Sequence, residues 1–265
     1  MALETGIQKF LHALEHGAPA IWLPRALAVG LVVAISAVGL LVKFNGFNNA
    51  EAMDQAQIGR QLADGRGYTT LYARPLALYL MLARTGRISQ PLPDASQPPL
   101  GPLLNAATLT VTGAGTALPK DSYVAPAEHA IATVGFLFFA ASLVLCYLLG
   151  CRLFDARLAL LGTGMLIATD ILWKFAFSGL PQIPMLLFFS GCMLALVAAL
   201  DAQDRGRRRK AAVLVVVSAL LLGITSLGNG AALWMFPGFW IFAVATIRPR
   251  WLTALAPPAA FALPL

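Results

Sequence analysis

Glu51 and Asp54 stand three residues apart in the polar stretch from Asn45 to Tyr68, NGFNNAEAMDQAQIGRQLADGRGY, within an otherwise oily chain. On a helix that spacing sends two carboxylates out at similar angles. One chemistry for such a group is general-base catalysis, taking a proton from a hydroxyl in a cavity at a membrane surface. The plainer alternative is structural. Glu51 would complete a capping-box-like start with Asn48, and both acids would complement the helix dipole. Type and spacing leave the two readings open.

The elements that must hold this stretch are apolar. The chain has 265 residues, of which 58% are hydrophobic and 12% charged, and its mean hydropathy is +0.74. A soluble domain carries roughly 25% charged residues, so the composition predicts an integral membrane protein. The formal charge is +7, yet the cations lie between apolar blocks rather than on one face. They are expected to serve topology and lipid headgroups, and nucleic acid is not expected as a partner. Cys146, Cys151 and Cys192 fall in or beside apolar segments, which argues against a disulfide framework.

Taken in order, residues 1–25 read as a cytoplasmic segment containing a short amphipathic surface helix. His12 and His16 are four apart there, with no third ligand nearby, so a solvated face is the better reading. Residues 26–43 form the first expected span, short but uncharged up to Lys43. A polar loop over 44–129 follows, and 130–250 holds spans two to six: 130–151, 158–173, 175–200 and two within 211–247, broken near Gly228–Asn229–Gly230. Residues 251–265 begin a seventh apolar run, which reads as the start of a span in a truncated chain. With a cytoplasmic N-terminus, the short loops at 152–157, 201–210 and 248–250 fall inside with nine Lys/Arg, against Lys174 in the short outside connections. That agrees with the positive-inside rule and places the 44–129 loop outside the cytoplasmic membrane; RGRRRK reads first as a topology anchor, with a regulatory or lipid-binding role as the lesser alternative.

Within the loop, Asn48 or Asn49 can cap a helix from Ala50 to about Ala63, with Gly65 and Gly67 as stop signals. Ala52, Ala56, Gly59 and Ala63 make a stripe of small residues that would let a neighbouring helix approach. Residues 75–85 predict a second helix, too short to span. The proline-rich stretch from 90 to about 102 reads as extended and stiff.

The stretch EAMDQAQIGRQLADGRGYTT at 51–70, followed by SQPPLGPLL at 96–104, resembles the GT-C superfamily of membrane glycosyltransferases. The nearest likeness is to the family 39-like bacterial relatives of protein O-mannosyltransferases and lipid A aminoarabinose transferases. The layout is similar too: one span, a long external loop with interfacial helices, then closely spaced spans. A weaker likeness runs over WKFAFSGLPQIPMLL at 173–187, where relatives often carry an acid and this chain has Gln182.

The resemblance implies an all-α, GT-C-like bundle that moves a sugar from a polyprenyl-phosphate donor to an acceptor hydroxyl on a lipid, glycan or protein, outside the inner membrane. Glu51, with Asp54 second, would be the base. Arg60, Arg66, Arg74 and Lys174 are the external cations for the leaving phosphate, and Gln97, Pro98 and Pro99 form the second loop motif. A divalent metal on Glu51 or Asp54, bridging the donor phosphate, is the alternative use of those carboxylates. Asp170, at the external end of the third span, reads as an interfacial residue, with orienting Glu51 or Asp54 as the lesser alternative. Two other classes stand beside the enzyme. Pro181, Pro184 and the Gly228–Gly230 break suit the discontinuous helices of a transporter or flippase, and Gln182 suits a non-catalytic member of the family.

Overall fold

Helix signals in the sequence become helices almost throughout the computed structural model, which describes residues 44–86, 92–94, 96–115, 124–248 and 250–265. The surface helix expected in 1–25, with His12 and His16, and the span expected over 26–43 lie outside these residues. Asn45–Leu265 forms one compact unit.

The loop opens with α1, Ala50–Ala63, whose N-cap Asn49 accepts the Glu51 N–H on its side chain. Gly65 and Gly67 take φ of +74° and +75° beyond its end, backbone that glycine adopts without strain. Thr69–Thr70 (β1) then pairs antiparallel with Leu92–Pro93 (β2), in the register Thr69↔Pro93 and Thr70↔Leu92. Between them lies α2, Pro75–Thr85, with proline in its first turn and Gly86 in the left-handed conformation at its end.

The proline-rich stretch departs from expectation. It turns helical at Leu100, and α3 runs from there to Thr112. Pro99 is its N-cap and Pro102 lies in its first turn, where no N–H is needed for the helical ladder. The small-residue stripe of α1 packs against α3. A Cβ placed on Gly59 would stand 2.8 Å from the Asn105 Cβ and 3.2 Å from the Pro102 carbonyl oxygen. Ala52 and Ala56 are buried in the same face, while Ala63 is exposed.

Beyond the loop come α4 (Pro126–Leu153), α5 (Ala156–Ala168), α6 (Asp170–Ala176), α7 (Gln182–Asp204) and α8 (Arg208–Ser226). A 3₁₀ turn (Gly230–Trp234) leads to α9 (Met235–Thr246) and α10 (Arg250–Ala262). Among the described residues α4, α7 and α8 are long and apolar enough to cross a membrane, and α5 with α6 makes a fourth if the bent pair counts as one span.

That pair corrects the expectation of one continuous helix over 158–173. It bends by 68° at Thr169, whose ψ of 106° is extended. No glycine or proline marks the site. Trp173 sustains the break, since its indole N–H donates to the Ile167 carbonyl at 2.7 Å and satisfies a backbone group freed by the bend.

The core lies where α7, α8, α9 and α10 meet, on Ala199, Ala202, Ala211, Val215, Ala219 and Leu222 with Phe239 and Phe261. Small side chains there let the helices approach closely, as membrane helices do. Pro257 and Pro258 sit inside α10. Pro258 cannot donate to the Ala254 carbonyl four residues back, and the Trp240 indole does so at 3.1 Å.

Candidate functional site

Asp54 and Glu51 share one face of α1 and meet different surroundings. Asp54 is 8% exposed. Its carboxylate forms an ion pair with Arg74 and accepts from Gln97 Nε2 at 3.0 Å. The Thr70 hydroxyl stands 3.4 Å from its other oxygen and 3.3 Å from Gln57 Oε1. Arg74, the N-cap of α2, reaches a second carboxylate with the same nitrogen, Asp94 Oδ2 at 3.0 Å. Asp94 also accepts from the Ser96 N–H at 2.9 Å and the Ser96 hydroxyl at 2.8 Å.

This buried Asp54–Arg74–Asp94 cluster ties α1 to the start of α2 and to the end of β2. The β1–β2 pairing and the Asp94 N–H donating to the Tyr68 carbonyl at 3.1 Å set its register. Tyr68 donates its phenol O–H to the Gln97 carbonyl at 3.0 Å. Burial, then the nearby charges of Asp94 and Asp54, push its pKa up to about 12 against the opposing pull of Arg74.

Glu51 lies outside this lattice. It is exposed, and its carboxylate meets Gln55 Nε2 at 3.4 Å. Gln55 is fully buried and also donates to Gln97 Oε1 at 3.2 Å. An amide chain, Glu51–Gln55–Gln97, therefore runs from the open carboxylate to the closed one.

The four expected cations are dispersed. Arg74 belongs to the buried cluster. Arg60 pairs with Glu128 at 3.3 Å, and Glu128 Oε2 also accepts the Phe47 N–H at 3.4 Å. Arg66 is exposed and only loosely paired with Asp64, at 3.8 Å. Lys174 pairs with Asp170 at 2.6 Å within α6, both largely exposed. Of the second motif, Gln97 binds Asp54, while Pro98 and Pro99 lead into α3. Gln182 opens α7 with its side-chain oxygen buried and unpartnered among the described groups.

Sequence reasoning missed Asp94, Tyr68, Thr70 and Glu128. The D-A-S spacing at 94–96 signals a side-chain turn, and Glu128 sits in the first turn of an apolar helix; both were legible signals. What Asp94 meets was not legible, because its partner lies 20 residues away.

No group of three or more His, Cys, Asp or Glu that could hold a metal occurs among the described residues. Asp54 and Asp94 already share the Arg74 guanidinium. That guanidinium closes Asp54 and Asp94 to a further cation, whereas the exposed Glu51 keeps lone pairs free.

Fold and site together define a helical protein with membrane-length helices and a folded polar loop built on a carboxylate–guanidinium cluster. Comparison with protein-family models, curated proteins and solved structures gives no match.

Proposed function

We propose that the chain is a membrane glycosyltransferase of the GT-C type, moving a sugar from a polyprenyl phosphate to an acceptor hydroxyl at the outer face of the inner membrane. The observation that carries the reading is the contrast between Glu51, open to solvent, and Asp54 one turn later, locked to Arg74. A general base must reach the proton it removes, and Glu51 has the free oxygens to do so. Asp54, whose oxygens are already engaged, is a positioning residue.

In the proposed step Glu51 takes the acceptor proton as the acceptor oxygen bonds to the anomeric carbon. The bond from that carbon to the phosphate oxygen breaks, and polyprenyl phosphate leaves with the electron pair. Arg74 is the cation linked to the Glu51 turn, but its guanidinium is held between Asp54 and Asp94 and its Nε is buried, so it positions that turn and is assigned no contact with the leaving phosphate. Arg66 sits past the far end of α1, about 20 Å from Glu51 by helical rise, so it is assigned no role in the same step. The half-buried Gln97 amide suits a sugar hydroxyl, while the fully buried Gln55 holds Gln97 and Glu51 in place.

The test is transfer from a panel of radiolabelled polyprenyl-phosphate sugars by the protein in membranes, with Glu51→Gln and Asp54→Asn beside wild type. Transfer by wild type, lost in Glu51→Gln with donor binding retained, supports the reading. No donor consumed or bound by wild type ends it.

Transport is the second reading, favoured by the 68° break between α5 and α6. Broken helices expose backbone groups that can line a substrate path. Uptake of a sugar or lipid by proteoliposomes, unaffected by Glu51→Gln, would favour it.

A further inference from the structure

We propose that the turn joining α7 to α8 is a binding site for an anionic phospholipid, seated by its phosphate headgroup. Arg205, Arg207, Arg208, Arg209 and Lys210 fall within six positions there. All five are exposed, and no ion pair joins any of them among the described residues. The nearest acids do not balance them. Asp201 is taken by Arg152 at 2.5 Å, which leaves the exposed Asp204 against five cations.

Three observations point to an anion that belongs to a lipid. First, four of the five cations, Arg207 to Lys210, occupy the N-cap and first turn of α8, with no acid in that turn and no side-chain cap. Positive charge at a helix start opposes the helix dipole, and a bound anion relieves both. Second, Gly206, Arg207, Arg208, Arg209, Lys210 and Val213 line an open depression of about 730 Å³. Val213 is 56% exposed, so the lining is basic at the turn and apolar one turn further on. A free phosphate has no use for the exposed valine, whereas a lipid presents both a phosphate and an acyl chain. Third, α7 and α8 are each long and apolar enough to cross a membrane, which puts their turn at headgroup depth. Basic residues so placed attract anionic headgroups.

The proposal rests on the membrane reading of α7 and α8 and is independent of glycosyl transfer. Full-chain protein in nanodiscs of phosphatidylcholine, with or without phosphatidylglycerol, is treated with an amine-acylating reagent. Modification of Lys210 is followed by peptide mass spectrometry, with the exposed Lys174 as reference. Phosphatidylglycerol is expected to slow acylation of Lys210 by ~5-fold or more relative to Lys174. The triple variant Arg207→Gln, Arg208→Gln, Arg209→Gln is expected to lose most of that protection.

Equal slowing at both lysines would show surface potential without a site and overturns the proposal. So does full protection by inorganic phosphate in pure phosphatidylcholine discs, which would assign the depression to the free anion. Protein that does not enter discs at all overturns the membrane reading itself. Should the variant fail to reconstitute, the wild-type comparison of Lys210 with Lys174 still decides.

Discussion

At the scale of single residues, Asp54, Arg74 and Asp94 set the terms. One guanidinium nitrogen holds two carboxylates, with the Asp94 side chain only 1% exposed. Arg74→Met would leave two buried like charges facing each other. Removing one partner of a buried pair is strongly destabilising, so we expect a loss of about 3 kcal/mol, read as a lower denaturation midpoint. Glu51→Gln should leave that midpoint within about 0.5 kcal/mol of wild type, as exposed substitutions do; under the proposed function it lowers sugar transfer about 100-fold or more.

Tyr68 supplies a pH signature. Its folded pKa of about 12 lies above the ordinary value of 10.0, so the unfolded chain loses that proton first as pH rises. The stability tied to its buried neutral form is therefore complete below pH 10 and is lost between 10 and about 12. Spectrophotometric titration should show one late phenol that disappears in Tyr68→Phe. A last phenol that titrates near 10 in wild type would count against this burial.

At the scale of elements, two contacts carry the architecture. Gly59 lets α1 rest against α3, and any side chain there meets Asn105 and Pro102. Gly59→Leu should separate the helices and cost about 1 to 3 kcal/mol, the usual range for overpacking. The second contact is the Trp173 indole on the Ile167 carbonyl. Trp173→Phe keeps a ring beside Phe139, now 5.1 Å away by centroids, but removes the donor. The expected cost is about 0.5 to 1.5 kcal/mol, that of a lost hydrogen bond at a half-buried carbonyl. A midpoint unchanged in Trp173→Phe would mean the bend at Thr169 does not depend on that bond.

At the scale of the molecule, α4 measures the distance between the two polar regions. Glu128 at its start binds Arg60 of the loop, and Arg152 at its end binds Asp201 beside the basic turn. Twenty-four helical steps cover about 36 Å, more than the ~30 Å of a hydrocarbon layer. The carboxylate cluster and the basic turn are thus expected on opposite faces of the membrane. With the native cysteines replaced by alanine, Arg66→Cys and Arg207→Cys should react with an impermeant maleimide from opposite sides. Labelling of both from one side would refute that topology.

Local periodicity and punctuation were enough to read α1 from Asn49 to Ala63, α2 from Pro75 and the apolar helices, because caps, glycines and hydrophobic runs act within a turn or two of chain. The same reasoning read 90–102 as extended throughout, since proline content is visible and its harmless placement at a helix start is not. The bend at Thr169 also went unread, because it depends on a tryptophan side chain rather than on a breaker residue. Glu51 and Asp54 were legible as a pair of acids; their division into an open group and a locked one was not. That division depends on Arg74, Asp94 and Gln97, which lie 20 to 43 residues from Asp54 or its arginine. Chain-local signals specify which helices form, whereas the charge environment of a carboxylate is set by whatever folding brings within a few ångströms of it.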